Sequence, residues 1–215
     1  MIKIEKTDIF GWEAAIRGMR NPMNSWDKSD SHWDIRSDKV EPEWFYMVGE
    51  NDLKLMRSLA KAGDDHAKFL RMIHVQADIT APRYWWTEYD TYKVGTVANS
   101  CSTMHKIHEK EFTLGDFSHE HLTKDAKEYL KNTLEALNYY RNNFRVFNDK
   151  GLWDQMIQLL PQSYNQKRTV DLNYQVLARM YFARKNHKLD EWHEFCAWVE
   201  GLPYFKKIVI QEGET

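Results

Sequence analysis

The stretch Arg83-Tyr84-Trp85-Trp86-Thr87-Glu88-Tyr89-Asp90-Thr91-Tyr92-Lys93-Val94-Gly95-Thr96-Val97-Ala98-Asn99-Ser100-Cys101-Ser102-Thr103-Met104-His105-Lys106 changes character half-way. Its first ten residues hold five aromatic rings, and from Val94 onward it is small and hydroxylated before closing on a basic pair. The run as a whole suits neither a continuous helix nor a continuous strand. Small polar residues beside large flat ones let a backbone approach a planar ligand and orient it with hydroxyl and amide groups. An irregular core segment followed by a hydroxyl-rich loop accounts for the same composition.

Upstream, the punctuation is clearer. Pro82 suits the first turn of a helix carrying Trp85, Trp86 and Tyr89. Residues 74–80 alternate apolar and polar as a strand does. Before them, Asn51 reads as the N-cap of a helix with Leu53, Met56, Leu59 and Ala60 on one face, ended by Gly63. A second short helix is expected from Asp64, carrying His66, Phe69, Leu70 and Ile73. At the start, Ile2 and Ile4 alternate with charge, which predicts a strand over 2–7. Trp12, Ala15, Ile16 and Met19 then recur at helical spacing up to Asn21-Pro22. Residues 24–48 show no period, and about 27–48 reads as an irregular insertion. Asp27, Asp30 and Asp34 have the wrong spacing for an EF-hand and lack its Gly and terminal Glu.

Downstream, Thr123 caps a long helix running to about Phe147, with Ala126, Leu130, Leu134, Leu137 and Phe144 as its apolar stripe. Trp153, Met156, Ile157 and Leu160 give a shorter helix that stops at Pro161. The amide- and base-rich run 162–169 leads into a helix expected from about Val170 to Arg184. A last helix runs from about Lys188 to Trp198, Gly201-Leu202-Pro203 breaks it, and an acidic tail occupies about 206–215. His105 with His108 and His119 with His121 lack cysteines or further ligands at zinc spacing, so no metal site is predicted. No Gly-x-Gly-x-x-Gly, phosphate-loop or Gly-x-Ser-x-Gly motif occurs, which removes the dinucleotide-fold, P-loop and α/β-hydrolase readings. The order of elements predicts an α+β fold: one domain over 1–215, with a small mixed sheet and a helical majority.

The totals agree. With 215 residues, 42% hydrophobic and 29% charged, the chain can bury a sizeable core. A net charge of −2 argues against binding a nucleic-acid polymer, which usually draws on a basic surplus. Cys101 and Cys196 make no disulfide framework, no apolar run approaches a membrane span, and the N-terminus lacks a signal-peptide core. Cytoplasm is the default compartment.

Several short motifs, taken in order, resemble the flavin-dependent thymidylate synthases. Gly63-Asp64-Asp65-His66 precedes a strand, as the family's Gly-His segment does. The stretch 83–106 lies where that family carries Arg-His-Arg-x-x-Ser-x-Asn-x-x-Ser-x-Arg. Leu160-Pro161 and Asn173 match its Leu-Pro and Asn-x-Arg-Ser-Leu spacing, and Ala15-Ile16-Arg17 with Ser25, Phe182-Ala183-Arg184 and Trp192-His193-Glu194 resemble further segments. The likeness spans nearly the whole chain. The departures are specific: Thr91, Tyr92 and Lys93 stand for Arg-His-Arg, Glu88 stands for a Gln, and Arg71 falls where a Glu is usual. Met104, Ile157 and Gln175 stand where the family has arginines, and one extra residue separates Thr96 from Asn99.

The resemblance implies a homotetramer with sites formed between subunits. It implies an enzyme in which a flavin (FAD) passes hydride, NADPH reduces the flavin, and methylenetetrahydrofolate supplies one carbon to C5 of a pyrimidine deoxynucleotide monophosphate. In the family that nucleotide is dUMP. Carried over by position, Ser102, Tyr92 and Lys93 take catalytic places, with Tyr92 and Lys93 between flavin and nucleotide. Glu88, Thr96, Asn99, Gln175, Arg179 and Arg168 take substrate places, and Ser25, His66, Lys167 and Asn173 take cofactor places. Because a carboxylate can only accept a hydrogen bond, Glu88 suits a base with an exocyclic amine, such as that of dCMP, better than uracil. Three lost arginines, each a bidentate phosphate ligand, also leave room for a protein that keeps the scaffold and binds a nucleotide without turnover.

Overall fold

The computed structural model describes residues 1–37 and 43–211. Its strands are β1 (Lys3–Phe10), β2 (His32–Arg36), β3 (Glu43–Met47), β4 (His74–Pro82), β5 (Val97–Ser100) and β6 (Asn165–Asn173). Its helices are α1 (Trp12–Arg20), α2 (Glu50–Lys61), α3 (Arg83–Tyr89), α4 (Thr103–Lys106), α5 (Lys124–Phe147), α6 (Lys150–Leu159), α7 (Tyr174–Arg184) and α8 (Asp190–Glu200). The four-stranded sheet has the order β1-β4-β6-β5, and β2 with β3 makes a separate two-stranded sheet. The α+β expectation, with a small sheet and mostly helix, holds.

Four expectations are corrected. No helix begins at Val170: β6 occupies Asn165–Asn173, taking in most of the amide- and base-rich run, and α7 begins at Tyr174, capped by Asn173. The second short helix is a 3-10 turn, Ala67–Met72, rather than a helix from Asp64. Residues 32–36 and 43–47, expected to be irregular, pair antiparallel, with Trp33 opposite Tyr46 and Ile35 opposite Trp44. Cross-strand aromatic and branched pairs of this kind stabilise a ribbon that has little core beneath it. Finally, α2 starts one residue before Asn51, after Gly49. Its first amides are satisfied from outside the helix: Asp30 accepts from the backbone N–H of Asn51 at 2.9 Å and of Asp52 at 3.1 Å. Asp30 therefore does the work of an N-cap from a distant loop.

Contacts gather the chain into two compact units. The first comprises 1–5, 78–91 and 98–170; the second comprises the described residues of 6–77, 92–97 and 171 onward. In the first, one face of α5 buries Leu130, Leu134 and Leu137 against Phe112, Phe117 and Met156. That is the stripe the sequence marks out, except that Arg141 is also buried, its Nη2 donating to the Glu109 carbonyl at 3.2 Å. In the second, Trp12, Met56, Phe69, Ile73, Leu177 and Trp192 are among the buried apolar residues. Asp52 is wholly buried there against Arg20, at 2.6 Å, and also accepts from the Ser29 and Ser31 hydroxyls. Among the described residues no helix is long and apolar enough to cross a membrane. The acidic tail lies partly outside the described residues; Lys206–Ile210 forms a π-helical turn.

Candidate functional site

The aromatic half of 83–106 belongs to the core of the first unit. Trp85, Trp86 and Tyr89 project from α3 into one another, with ring centroids 4.9 to 5.3 Å apart, and all three are buried. They offer no flat surface to a ligand. Arg168 is held against this cluster: its guanidinium lies 4.2 Å from the Trp86 ring, its Nη1 donates to Asp90 at 2.7 Å and its Nε to Gln166 at 3.2 Å. The Trp86 indole N–H in turn donates to the Gln166 carbonyl at 2.9 Å. On alternate residues of β6, Lys167 pairs with Asp78 at 2.9 Å and the Thr169 hydroxyl donates to Asp78 at 2.6 Å. The hydrogen bond to Asp78 raises the Lys167 pKa.

Of the hydroxylated half, residues 98–106 belong to this unit and are mostly exposed. Asn99 lies on β5 and is exposed; Glu88, on α3, is half-buried. The Cys101 N–H donates to the Lys167 carbonyl and the Gln166 amide donates to the Cys101 carbonyl, both at 2.9 Å, so the chain leaving β5 is tied to β6. Ser102 then caps α4 by accepting from the His105 N–H at 3.0 Å. Met104 is 48% exposed, and Ile157 packs on the apolar cluster of α5 and α6.

In the second unit, Tyr92 is fixed by Arg184, whose Nε donates to the phenol oxygen at 2.9 Å and whose guanidinium lies 4.9 Å from the Trp192 ring. Thr96 closes the turn by donating to the Tyr92 carbonyl. Between them Gly95 has φ +81°, a left-handed conformation that other residues rarely adopt. A Cβ there would also lie 2.9 Å from the Asn173 amide nitrogen. Asn173 uses its Oδ1 to accept from the Val176 N–H at 3.0 Å and so starts α7. Lys93 and His66 are exposed. Ser25 is buried within the Arg20 network, its backbone carbonyl accepting from Arg20 at 3.1 Å.

Two further candidates, Gln175 and Arg179, meet two residues that motif reading did not select. Arg71 donates from Nε to Oε1 of Gln175, and Arg179 donates to Asp64 at 2.7 Å. The hydrogen bond from Arg179 holds the Asp64 carboxyl below the usual carboxylate range, with a further contribution from the nearby Gln175 amide. Gln175 is buried, its Oε1 accepting from Arg71 and its amide hydrogen-bonding Asp64. The sequence marks Arg71 only as a departure from the pattern of the family it resembles. A cavity of about 1070 Å³ also opens in the second unit, lined by residues including Trp33, Trp44, Arg17 and Tyr204; no predicted site residue lines it.

Solved structures with the same arrangement of elements exist. Two are of the flavin-dependent thymidylate synthase ThyX from Helicobacter pylori with FAD and dUMP. They have TM-scores of 0.68 and 0.69, 16% and 15% identity, and coverage of 97–98% of this chain and 98% of theirs. The chain has the fold of the flavin-dependent thymidylate synthases. A third match is the UMP/dUMP methylase PolB from Streptomyces cacaoi bound with 5-Br dUMP, at TM-score 0.59 and 12% identity, covering 97% of this chain and 91% of that one. No protein-family model matches the sequence. No curated protein is detectably similar to it in sequence. The thymidylate synthase fold thus extends along nearly the full length of the chain.

Proposed function

We propose that this protein is a flavin-dependent thymidylate synthase-like enzyme that transfers one carbon reductively to C5 of a pyrimidine deoxynucleotide monophosphate. The observation that carries the reading is the full-length fold shared with structures holding FAD and dUMP. In sequence order Thr96, Asn99 and Ser102 supply a hydroxyl, an amide and a hydroxyl, groups suited to a pyrimidine edge, and by motif position Gln175 and Arg179 take substrate places in this proposal.

The flavin fit rests on donors. Flavin presents carbonyl, ring-nitrogen and phosphate acceptors, and in the second unit Asn173 Nδ2 and His66 can donate to such groups; Lys167, in the first unit, takes its cofactor place by motif position alone. Ser25 and Asn173 Oδ1 are engaged with the chain itself, so they shape rather than supply that contact. When bound, the flavin supplies hydride drawn from NADPH, with methylenetetrahydrofolate as the carbon donor. The protein's own groups bind, orient and polarise. Tyr92, fixed by Arg184, and Lys93 are assigned in this proposal to the place between flavin and nucleotide by their motif position.

Val94 at 83% and Val97 at 69% exposure flank Gly95, and such apolar side chains beside a site suit cover by a second subunit. The homotetramer belongs to this proposal. Titration of FAD into the purified chain, followed by its visible absorption, tests the reading. Binding that strengthens with dUMP or dCMP supports it; a colourless protein that takes up no FAD contradicts it.

A second reading has its own observation. Arg168 is held by Asp90 and Trp86, Ile157 lies on the apolar cluster, and Met104 is uncharged. A protein with these exchanges could hold a nucleotide without transferring carbon to it. Nucleotide binding without flavin uptake would select this reading.

A further inference from the structure

We infer that the second unit carries a stacking slot for a flat, uncharged heteroaromatic ring, of the kind a nucleoside base presents, between the β2–β3 ribbon and helix α1. The slot shares no residue with the places assigned to substrate and cofactor, so it stands or falls apart from the proposed function.

Three observations meet here. The first is the aromatic side of the ribbon. Trp33 lies opposite Tyr46 and Ile35 opposite Trp44, so these four side chains share one side of the two-stranded sheet. β2 buries none of its residues, and Trp33 is 54% exposed and Trp44 63%. A two-stranded ribbon is marginal by itself, and covered rings are what such an element lacks. The Tyr46 ring stands edge-on to Trp33 at 5.2 Å and braces it. Trp44, the more exposed of the two indoles, is left to carry a stacked ring.

The second is the space beside it. A cavity of about 1070 Å³ is lined by Trp33, Trp44 and Tyr46 of the ribbon and by Glu13 and Arg17 of α1. Its size is that of a small-molecule pocket. Ala15, Ile16 and Met19 of α1 are buried in the core, so the helix offers the ribbon charge rather than apolar cover. Burial raises the pKa of the Tyr46 phenol and the Glu13 carboxylate adds to the rise, as expected of a hydroxyl close to α1. One end of the cavity is built in advance. Tyr204 holds φ +58°, a left-handed backbone that a bulky residue keeps only where its surroundings fix it. Its hydroxyl accepts from the Val48 N–H at 3.1 Å, at the base of the ribbon, and its ring stands edge-on to Trp12 at 5.5 Å.

The third is the balance of polar groups. Asp8 and Glu13 bring two carboxylates to the lining and Arg17 and Arg36 two guanidiniums, so the cavity favours a ligand without net charge. Glu13 and Arg17 are 3.6 Å apart and both more than half exposed, a loose pair free to turn to a ligand. A carboxylate accepts and a guanidinium donates. Together they match the mixed donor and acceptor edge of a heteroaromatic base, while the indoles take its face. Stacking on an aromatic side chain tolerates every base, because each has a π-face, and the choice among bases falls to the polar groups.

Calorimetric titration of the full chain with adenosine, cytidine and uridine, and with glucose and inorganic phosphate alongside, tests the slot. Wild type is compared with Trp44→Ala, Trp44→Phe and Glu13→Gln, each checked for native circular dichroism. At least one nucleoside is expected to bind, and neither glucose nor phosphate to compete with it. Trp44→Ala is expected to weaken that binding about tenfold or more, and Trp44→Phe to recover part of the loss, since a smaller ring still stacks. Glu13→Gln is expected to lower the affinity for adenosine and cytidine relative to uridine, because an amide no longer presents only acceptors to an exocyclic amine. A structural role for Glu13 would not alter the preference among bases. Nucleoside affinity unchanged in Trp44→Ala overturns the slot, as does a wild-type chain that binds no nucleoside. Should Trp44→Ala misfold, an unchanged order of preference in Glu13→Gln overturns it. Glucose binding that depends on Trp44 overturns it in favour of a saccharide platform. Light scattering that shows smaller species in Trp44→Ala, with no nucleoside bound by wild type, overturns it in favour of a contact between copies of the chain. FAD and dUMP uptake is expected to be the same in folded Trp44→Ala as in wild type, and its parallel loss overturns the slot as a separate site.

Discussion

Arg184, at the end of α7, donates to the hydroxyl of Tyr92, 92 residues away in sequence, at 2.9 Å. The same guanidinium lies over the Trp192 ring of α8. A planar cation that bonds one ring and stacks on another fixes the start of the turn 92–96 to two helices. Arg184→Ala is expected to cost about 1–3 kcal/mol, the range for a partly buried charged hydrogen bond with a cation–π contact, read from urea unfolding. Arg184→Lys should recover little of it, since an ammonium cannot reproduce the fork.

The buried pair Arg20–Asp52 sets a pH dependence. Burial disfavours the Asp52 carboxylate, but hydrogen bonds from Ser31, Ser29 and Arg20 outweigh it and hold its pKa below the usual value. A depressed pKa contributes stability that is complete above the unfolded value and is lost as pH falls through the folded one. Thermal midpoints should therefore be flat above about pH 5 and fall below about pH 4, the ordinary range of an aspartate carboxyl. Asp52→Asn leaves Arg20 charged and unpaired, which costs about 3–5 kcal/mol, and should flatten the acid limb. An unchanged acid limb in that variant removes Asp52 as its cause.

Glu88 offers a carboxylate, which accepts hydrogen bonds without donating, and in the proposed function it faces the edge of the base. The chain is expected to bind dCMP more tightly than dUMP, and Glu88→Gln to shift the preference toward dUMP, by about tenfold overall for one base-edge hydrogen bond. Competition binding with the two nucleotides measures it. A clear wild-type preference for dUMP removes the cytosine reading and leaves the pyrimidine reading intact.

Apolar side chains stand on the surface of α5 and around Gly95: Tyr129 is 74% exposed, Tyr139 62% and Val97 69%. Light scattering is expected to give a tetramer, and Tyr139→Asp with Val97→Asp to give smaller species. A clean monomer for wild type removes shared sites between subunits.

The alternation of β4 and the stripe of α5 could be read from sequence because burial imposes their periods directly. β6 was hidden because Lys167 and Thr169, placed on alternate residues, are polar for the sake of Asp78 rather than solvent. β2 was hidden because it has no buried face. The rings of 84–89 could be counted but not assigned, since core and ligand platform ask for the same residues. Ser102, Asn173 and Gln175 could be singled out by motif position. Arg71 could not be joined to Gln175, because nothing local connects a 3-10 turn to a helix so far along the chain.

Turnover tests the central claim most directly. The purified chain is incubated with FAD, NADPH, methylenetetrahydrofolate and either dUMP or dCMP, and the nucleotide is then analysed by mass spectrometry. The account predicts a product heavier by one methylene unit, carried on the base, that fails to form when FAD is withheld. A nucleotide recovered unchanged from FAD-loaded protein contradicts it.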